Sequence, residues 1–125
     1  MNSETPSVRP GLLGADYWLL LSTPLPGTDA AAVAAVVDEH IAWLLELERT
    51  GVLFVSGPLL AGPGVGPGSG VTVLRAADED TARRIAAEDP FVKAGLRTFD
   101  VYHWRLNEGS VSVRVPLGTG TYEWS

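Results

Sequence analysis

The chain carries two histidines, His40 and His103. Only His40 stands where its chemistry is out of place, inside the apolar run VAAVVDEHIAWLLELERTG. On a helical wheel of about 100° per residue, Val33, Val37, His40, Leu44 and Leu47 share one narrow arc. Asp38, Glu39, Glu46 and Arg49 point the other way. An imidazole in that arc faces the interior or a hollow beside it. Its nitrogens need partners there, and a partnered imidazole suits proton transfer.

A carboxylate would turn such an imidazole into an oriented base, by fixing its tautomer and raising its basicity. Asp89 is the best placed. It stands at a helix break just before Pro90, where its side chain need not face solvent. Two plainer readings stand beside this one: a core histidine bonded to a backbone carbonyl, and an aspartate that merely caps a helix end.

Other chemistries find no support. There is no G-x-S-x-G nucleophile elbow. The segment GPGVGPGSG lacks a Lys-Ser/Thr ending and runs into VTVL, a strand pattern, so it is neither a phosphate loop nor a dinucleotide fingerprint. Asp38, Glu39 and His40 are consecutive, and helical neighbours diverge by about 100°, so they cannot converge on one metal ion. With no cysteine, disulfides, thiolate nucleophiles and thiolate-bound metals are all ruled out. We expect neither a metal nor an organic cofactor.

Aromatic residues are candidate walls for a binding hollow. Trp43 lies at the edge of the apolar arc, and Phe91 follows Asp89-Pro90. Trp18 shares one side of a short strand with Leu20 and Ser22, and Tyr102 and Trp104 share one side of another. Each has core or dimer packing as its plainer role. His103 points to the face opposite Tyr102 and Trp104. Arg75 and Arg105 stand at strand ends, where an anion or a solvated salt bridge would suit them.

The positioning elements follow from local signals. ADYWLLLST (15–23) is a strand stopped by Pro24, Pro26 and Gly27. Thr28 or Asp29 caps a helix from about residue 30 to 50, with Gly51 at its end. VLFVSGPLL (52–60) is a second strand. AGPGVGPGSG (61–70) is a long Gly/Pro loop, and VTVLRA (71–76) a third strand. ADEDTARRIAAEDP (77–90) is a helix with acid at its start, suited to the helix dipole, and Asp78 or Asp80 caps it. FVKAG adds a turn. LRTFDVYHWRL (96–106) is the fourth strand, and VSVRVPL (111–117) a short edge strand.

The order β-α-β-β-α-β is the ferredoxin-like arrangement, an α+β fold with an antiparallel sheet. We assign residues 1–14 to a lead-in, 15–106 to the domain and 107–125 to a C-terminal extension. Strands one and four are apolar on both faces, and a sheet cannot leave such a face in water. A homodimer pairing sheet against sheet is the expectation, with Tyr122 and Trp124 of the tail reaching across. The net charge of −6 and the nine scattered Lys and Arg argue against nucleic acid and against an anionic membrane surface. No apolar stretch reaches spanning length and no signal pattern is visible, so a cytoplasmic protein is expected.

EHIAWLLELERTGVLFVSGPL (39–59), AEDPFVKAGL (87–96) and the closing VYHW together resemble the YCII-related family of the dimeric α/β-barrel superfamily. The resemblance covers roughly residues 15–106. It implies a His–Asp active-site pair, which falls on His40 and Asp89, and a strand-end Ser56-Gly57-Pro58 bordering the same cavity. The chain departs from the pattern at Val37, where many members carry an Arg. Its lead-in, Gly/Pro loop and tail are also longer. The resemblance implies cofactor-free acid–base chemistry on a small cyclic oxygenated compound: elimination, isomerisation or cyclisation, in aromatic catabolism or secondary metabolism. The alternative is a non-catalytic binding or accessory dimer module.

Overall fold

The structure, a computed structural model, describes residues 6–121, 123 and 124. It divides into two units: Asp16–Arg105, and the described residues of Met1–Ala15 with Leu106–Ser125. In the first unit, strand β1 (Ala15–Pro24) leads to helix α1 (Ala30–Arg49) and strand β2 (Leu53–Pro58). Strand β3 (Gly70–Leu74), helix α2 (Glu79–Ala87), the short helix α3 (Pro90–Lys93) and strand β4 (Arg97–Leu106) follow. The sheet order is β2-β3-β1-β4. Strand β3 runs antiparallel to both β1 and β2. This is the ferredoxin-like α+β arrangement expected from the element order.

The helix ends obey the capping signals. Asp29 accepts the Ala31 N–H at 3.1 Å and starts α1. Gly51, at φ +80°, takes the left-handed position that closes it. Asp78 accepts the Thr81 N–H at 2.8 Å and starts α2. Helix α2 ends at Ala87, next to the break expected before Pro90, and Asp89 starts α3 with Pro90 in its first turn. Asp89 thereby sits at a helix N-terminus pressed between two elements, and is 5% exposed.

Leu20, Leu74 and Ala86 are buried together, with Leu47, Val52, Leu53, Ile85, Phe99 and Val101 against them. That cluster identifies the helix-covered face of the sheet. Strand alternation then puts Tyr17, Leu19, Val73, Tyr102 and Trp104 on the opposite face. No helix covers it among the described residues, and Tyr102 stays 51% and Trp104 37% exposed.

In the second unit, the edge strand expected over 111–117 shrinks to Val113–Arg114 (β5), paired antiparallel with Glu123–Trp124 (β6). Tyr122 lies outside the described residues, as does the side chain of Trp124, so the tail's expected reach across a dimer falls there too.

Candidate active site

Antiparallel pairing gathers four strand ends at one edge of the sheet: the end of β1 at Ser22, the end of β2 at Ser56–Pro58, the start of β3 at Gly70–Thr72 and the start of β4 at Arg97. The third turn of α1 brings His40 and Leu44 over that edge, and the start of α3 brings Asp89. These residues, with Gly68, Ser69 and Val71, line a hollow of about 170 Å³.

His40 Nδ1 lies 2.7 Å from Asp89 Oδ1. The same oxygen accepts the Phe91 N–H at 2.9 Å. Asp89 therefore does two jobs at once, ending the chain break and holding the imidazole. An ionised carboxylate only accepts, so the proton of a neutral His40 resides on Nδ1 and the lone pair on Nε2. Nε2 makes no hydrogen bond among the described residues. The Phe91 ring packs against the imidazole, centroids 4.4 Å apart. It fixes the tilt of the ring and keeps water from one side of it.

The remaining polar wall comes from strand ends and the Gly/Pro loop. Ser69 is 2% exposed. Gly68, at φ +85°, turns the loop back toward Pro24, whose Cγ would stand 3.1 Å from an added Cβ. Arg97 donates to Ser22 Oγ at 3.2 Å and to the Gly68 carbonyl. Its guanidinium lies 5.1 Å from the centre of the Phe91 ring. Burial pulls its pKa down, against the opposing pull of the Asp89 charge.

His40, Asp89, Ser56, Gly57 and Pro58 come together in one wall, and Phe91 stands directly behind the imidazole. Trp43 is near, its ring 6.0 Å from that of His40, but outside the lining. Trp18 is elsewhere. It shares a face with Ser22, but the two stand four positions apart along the strand, about 13 Å. It stacks on His103 with centroids 4.4 Å apart and donates its indole N–H to Ala76 O. Tyr102 and Trp104 lie on the far face of the sheet, because β4 alternates and Phe99 and Val101 take the helix side. Trp104 meets Tyr17 there, which stacks on Phe54.

Arg75 covers Tyr17 and Phe54 and bonds the Gly51 and Leu53 carbonyls. Arg105 and His103 both meet Asp16. Neither arginine reaches the hollow. The cation that does, Arg97, was missed by sequence reasoning. It shares the parity of Phe99 and Val101, the side of β4 that the structure turns toward the helices, which the sequence alone does not tell from the side of Tyr102 and Trp104. Among the described residues, no group of three or more His, Cys, Asp or Glu side chains is arranged to hold a metal ion. No helix among them is long and apolar enough to cross a membrane.

Fold and site together define a class: ferredoxin-like α+β proteins with a carboxylate-held histidine at the open end of the sheet. The YCII-related domain model matches residues 17–105, and the chain belongs to the YCII-related family, within the dimeric α/β-barrel superfamily. A comparison with curated proteins gives no match. Among solved structures, the chain is similar to 5-chloro-2-hydroxyhydroquinone dehydrochlorinase from Burkholderia phenoliruptrix AC1100, in complex with 2,5-dihydroxybenzoquinone. The identity is 27% and the TM-score 0.57, over 70% of this chain and 92% of that one. That neighbour is an enzyme acting on a small hydroxylated ring compound.

Proposed function

We propose that this protein is a cofactor-independent acid–base enzyme acting on a small cyclic oxygenated compound. The observation that carries the reading is the His40–Asp89 contact of 2.7 Å in the wall of a hollow. His40 Nε2 removes a proton from the bound substrate. The electron pair left behind forms a new π bond, and a leaving group departs with its own pair. In an isomerisation the imidazolium returns the proton to another carbon of the conjugated system; in a cyclisation the pair bonds to an electrophilic carbon, whose displaced π electrons then take the proton back from the imidazolium. Asp89 holds the tautomer and stabilises the imidazolium that forms. Ser56, Gly57, Pro58 and Phe91 shape the space around the reacting atoms. The dehydrochlorinase, which removes the elements of HCl from a hydroquinone, supports elimination as the reaction type.

Two copies pair through the helix-free sheet face, with Tyr102 and Trp104 at the contact. Apolar area of that kind left in water favours association. A cytoplasmic location accords with the absence of cysteine.

The test is solvent exchange. Chlorinated and hydroxylated hydroquinones and cyclic enones are incubated with the protein in D2O, and deuterium incorporation or leaving-group loss is followed by NMR. Wild type is expected to accelerate one class, and His40→Gln to abolish the acceleration. An unchanged rate in the His40→Gln variant sinks the proposal. No acceleration across the panel favours a binding module.

A further inference from the structure

A second hollow, of about 310 Å³, adjoins the first. Its lining is mostly apolar: Pro24, Ala30, Val33, Pro67, Phe91 and Leu96 contribute, with Thr28. The two hollows share two residues, Gly68 and Arg97. Arg97 thus stands at their junction, with the reactive imidazole on one side and the apolar space on the other.

The state of Arg97 is unusual for a cation in such a place. Buried and half-buried charges are normally paired, because removing a charge from water is costly. Arg49, Arg83, Arg105 and Lys93 all have carboxylate partners, at 2.6 to 3.1 Å. Arg97 is more enclosed than Arg49, Arg83 or Lys93 and, among the described residues, has none within ion-pair distance. Its bonds go to two neutral oxygens, Ser22 Oγ and the Gly68 carbonyl. These fix the direction of the guanidinium without cancelling its charge, and they leave part of its planar N–H fork unused. The Phe91 ring beneath it adds a third constraint. A cation oriented on three sides, felt by the Asp89 charge but paired with no carboxylate, keeps donors free for an anion.

We infer that Arg97 is the anion-binding residue of this pocket, and that its substrate carries a carboxylate, phenolate or enolate oxygen at Arg97 and an apolar body in the second hollow. This deepens the proposed function and rests on it for the word substrate. When His40 takes the proton, the C–H electron pair moves onto the conjugated oxygen, and Arg97 would stabilise the enolate charge that develops there. One guanidinium then serves both positioning and charge stabilisation.

The experiment is a binding measurement and needs no turnover. Isothermal titration with benzoate, benzamide and acetate compares a charged aromatic, its neutral isostere and a charged group without a body. A fourth titrant, 2,5-dihydroxybenzoquinone, offers ring oxygens that are already ionised at neutral pH. The wild-type protein is expected to bind benzoate and the quinone, benzoate at least about tenfold tighter than benzamide or acetate. Arg97→Gln is expected to lose at least about tenfold for both anions and Arg97→Lys to lose less. Arg83→Gln, a change on the α2 surface, should bind as wild type does. Equal binding of benzoate and benzamide by the wild type, or no saturable binding of either anion, overturns the inference without any variant. So does wild-type affinity in Arg97→Gln, or an equal loss in Arg83→Gln. Acetate binding as tightly as benzoate removes the second hollow from the account. Failure of the catalytic reading shows separately, as His40→Gln retaining turnover while Arg97→Gln still loses the anions.

Discussion

Asp89 Oδ1 is shared between His40 Nδ1, at 2.7 Å, and the Phe91 N–H, at 2.9 Å. One oxygen thus ties the imidazole to the first turn of α3. The backbone bond locks the aspartate side chain, and the locked side chain locks the ring. The precision of the candidate base therefore depends on a helix of four residues. Two substitutions at Asp89 separate its roles. Asn keeps an oxygen for Phe91 but presents either that oxygen or an amide to His40, so the tautomer is no longer enforced. Asp89→Asn is expected to stay folded and to lose about 10²–10⁴-fold in turnover. Asp89→Ala loses the cap as well and leaves a buried N–H unpaired, at a cost of about 1–3 kcal/mol in stability. Chemical denaturation and turnover measured on both variants check this. Equal stability of the Asn and Ala variants would show that the cap carries no weight.

A pH–rate profile reads the same pair from the other side. A base must be neutral to accept a proton, so kcat/KM should fall on the acid side as His40 becomes protonated. The alkaline side should stay level until another group intervenes. A reaction that begins with protonation instead, with His40 as the acid, would show the mirror image. A profile without any limb excludes His40 from proton transfer.

Much of this pair is legible in the sequence. The 3.6-residue spacing of Val33, Val37, Leu44 and Leu47 left no solvent-facing position for His40, and a proline beside Asp89 marked the chain break that buries it. What spacing does not carry is the choice between the two faces of the sheet. Tyr102 and Trp104 alternate as clearly as Phe99 and Val101, and both pairs are apolar. Only the packing of α1 and α2 decides which pair goes inside. Trp18 failed for a different reason. Parity gives the face but not the end of the strand, and the hollow lies at the Ser22 end. Arg97 was hidden because a charge at the start of a strand reads as a solvated end until Ser22 and Gly68 are seen around it.

The helix-free face of the sheet can be tested directly. Tyr102→Glu and Trp104→Glu put charge on a surface that touches none of the buried cluster of Leu20, Leu74 and Ala86. If two copies pair there, each variant should shift sedimentation from dimer to monomer with little change in the far-ultraviolet dichroism. Wild type sedimenting as a monomer at tens of micromolar would remove the interface.

Two glycines with the same backbone sign should respond differently to alanine. Gly51 has φ +80° and open space around a new Cβ. Gly51→Ala therefore costs only the left-handed backbone, about 1–2 kcal/mol. Gly68 has φ +85°, and its Cβ would meet Pro24 Cγ at 3.1 Å and Arg97 Nη2 at 3.6 Å. Gly68→Ala is expected to cost at least as much and also to disturb the hollow, weakening ligand binding where Gly51→Ala does not. Denaturation midpoints and benzoate titrations of the two variants give the comparison.

Asp78 offers a test of the helix that leads to Asp89. Hydrogen bonds from the Thr81 hydroxyl and backbone N–H hold the Asp78 carboxyl below its ordinary value of 3.8. A group whose pKa is lower in the folded than in the unfolded state binds fewer protons when folded. Its contribution to stability is then full above 3.8 and is lost as pH falls through the folded value. Asp78→Ala should lower the melting temperature at pH 7, and the gap between variant and wild type should narrow steadily below pH 3.8. Asp78→Asn keeps an acceptor for the Thr81 N–H but cannot ionise, so its melting temperature should lie between the two at pH 7. Since α2 holds Ala86 in the core and hands the chain directly to Asp89, loosening its start should leave the His40–Asp89 contact intact. Turnover per folded molecule should be unchanged in both variants, which separates this carboxylate, a structural cap, from the one that orients the base.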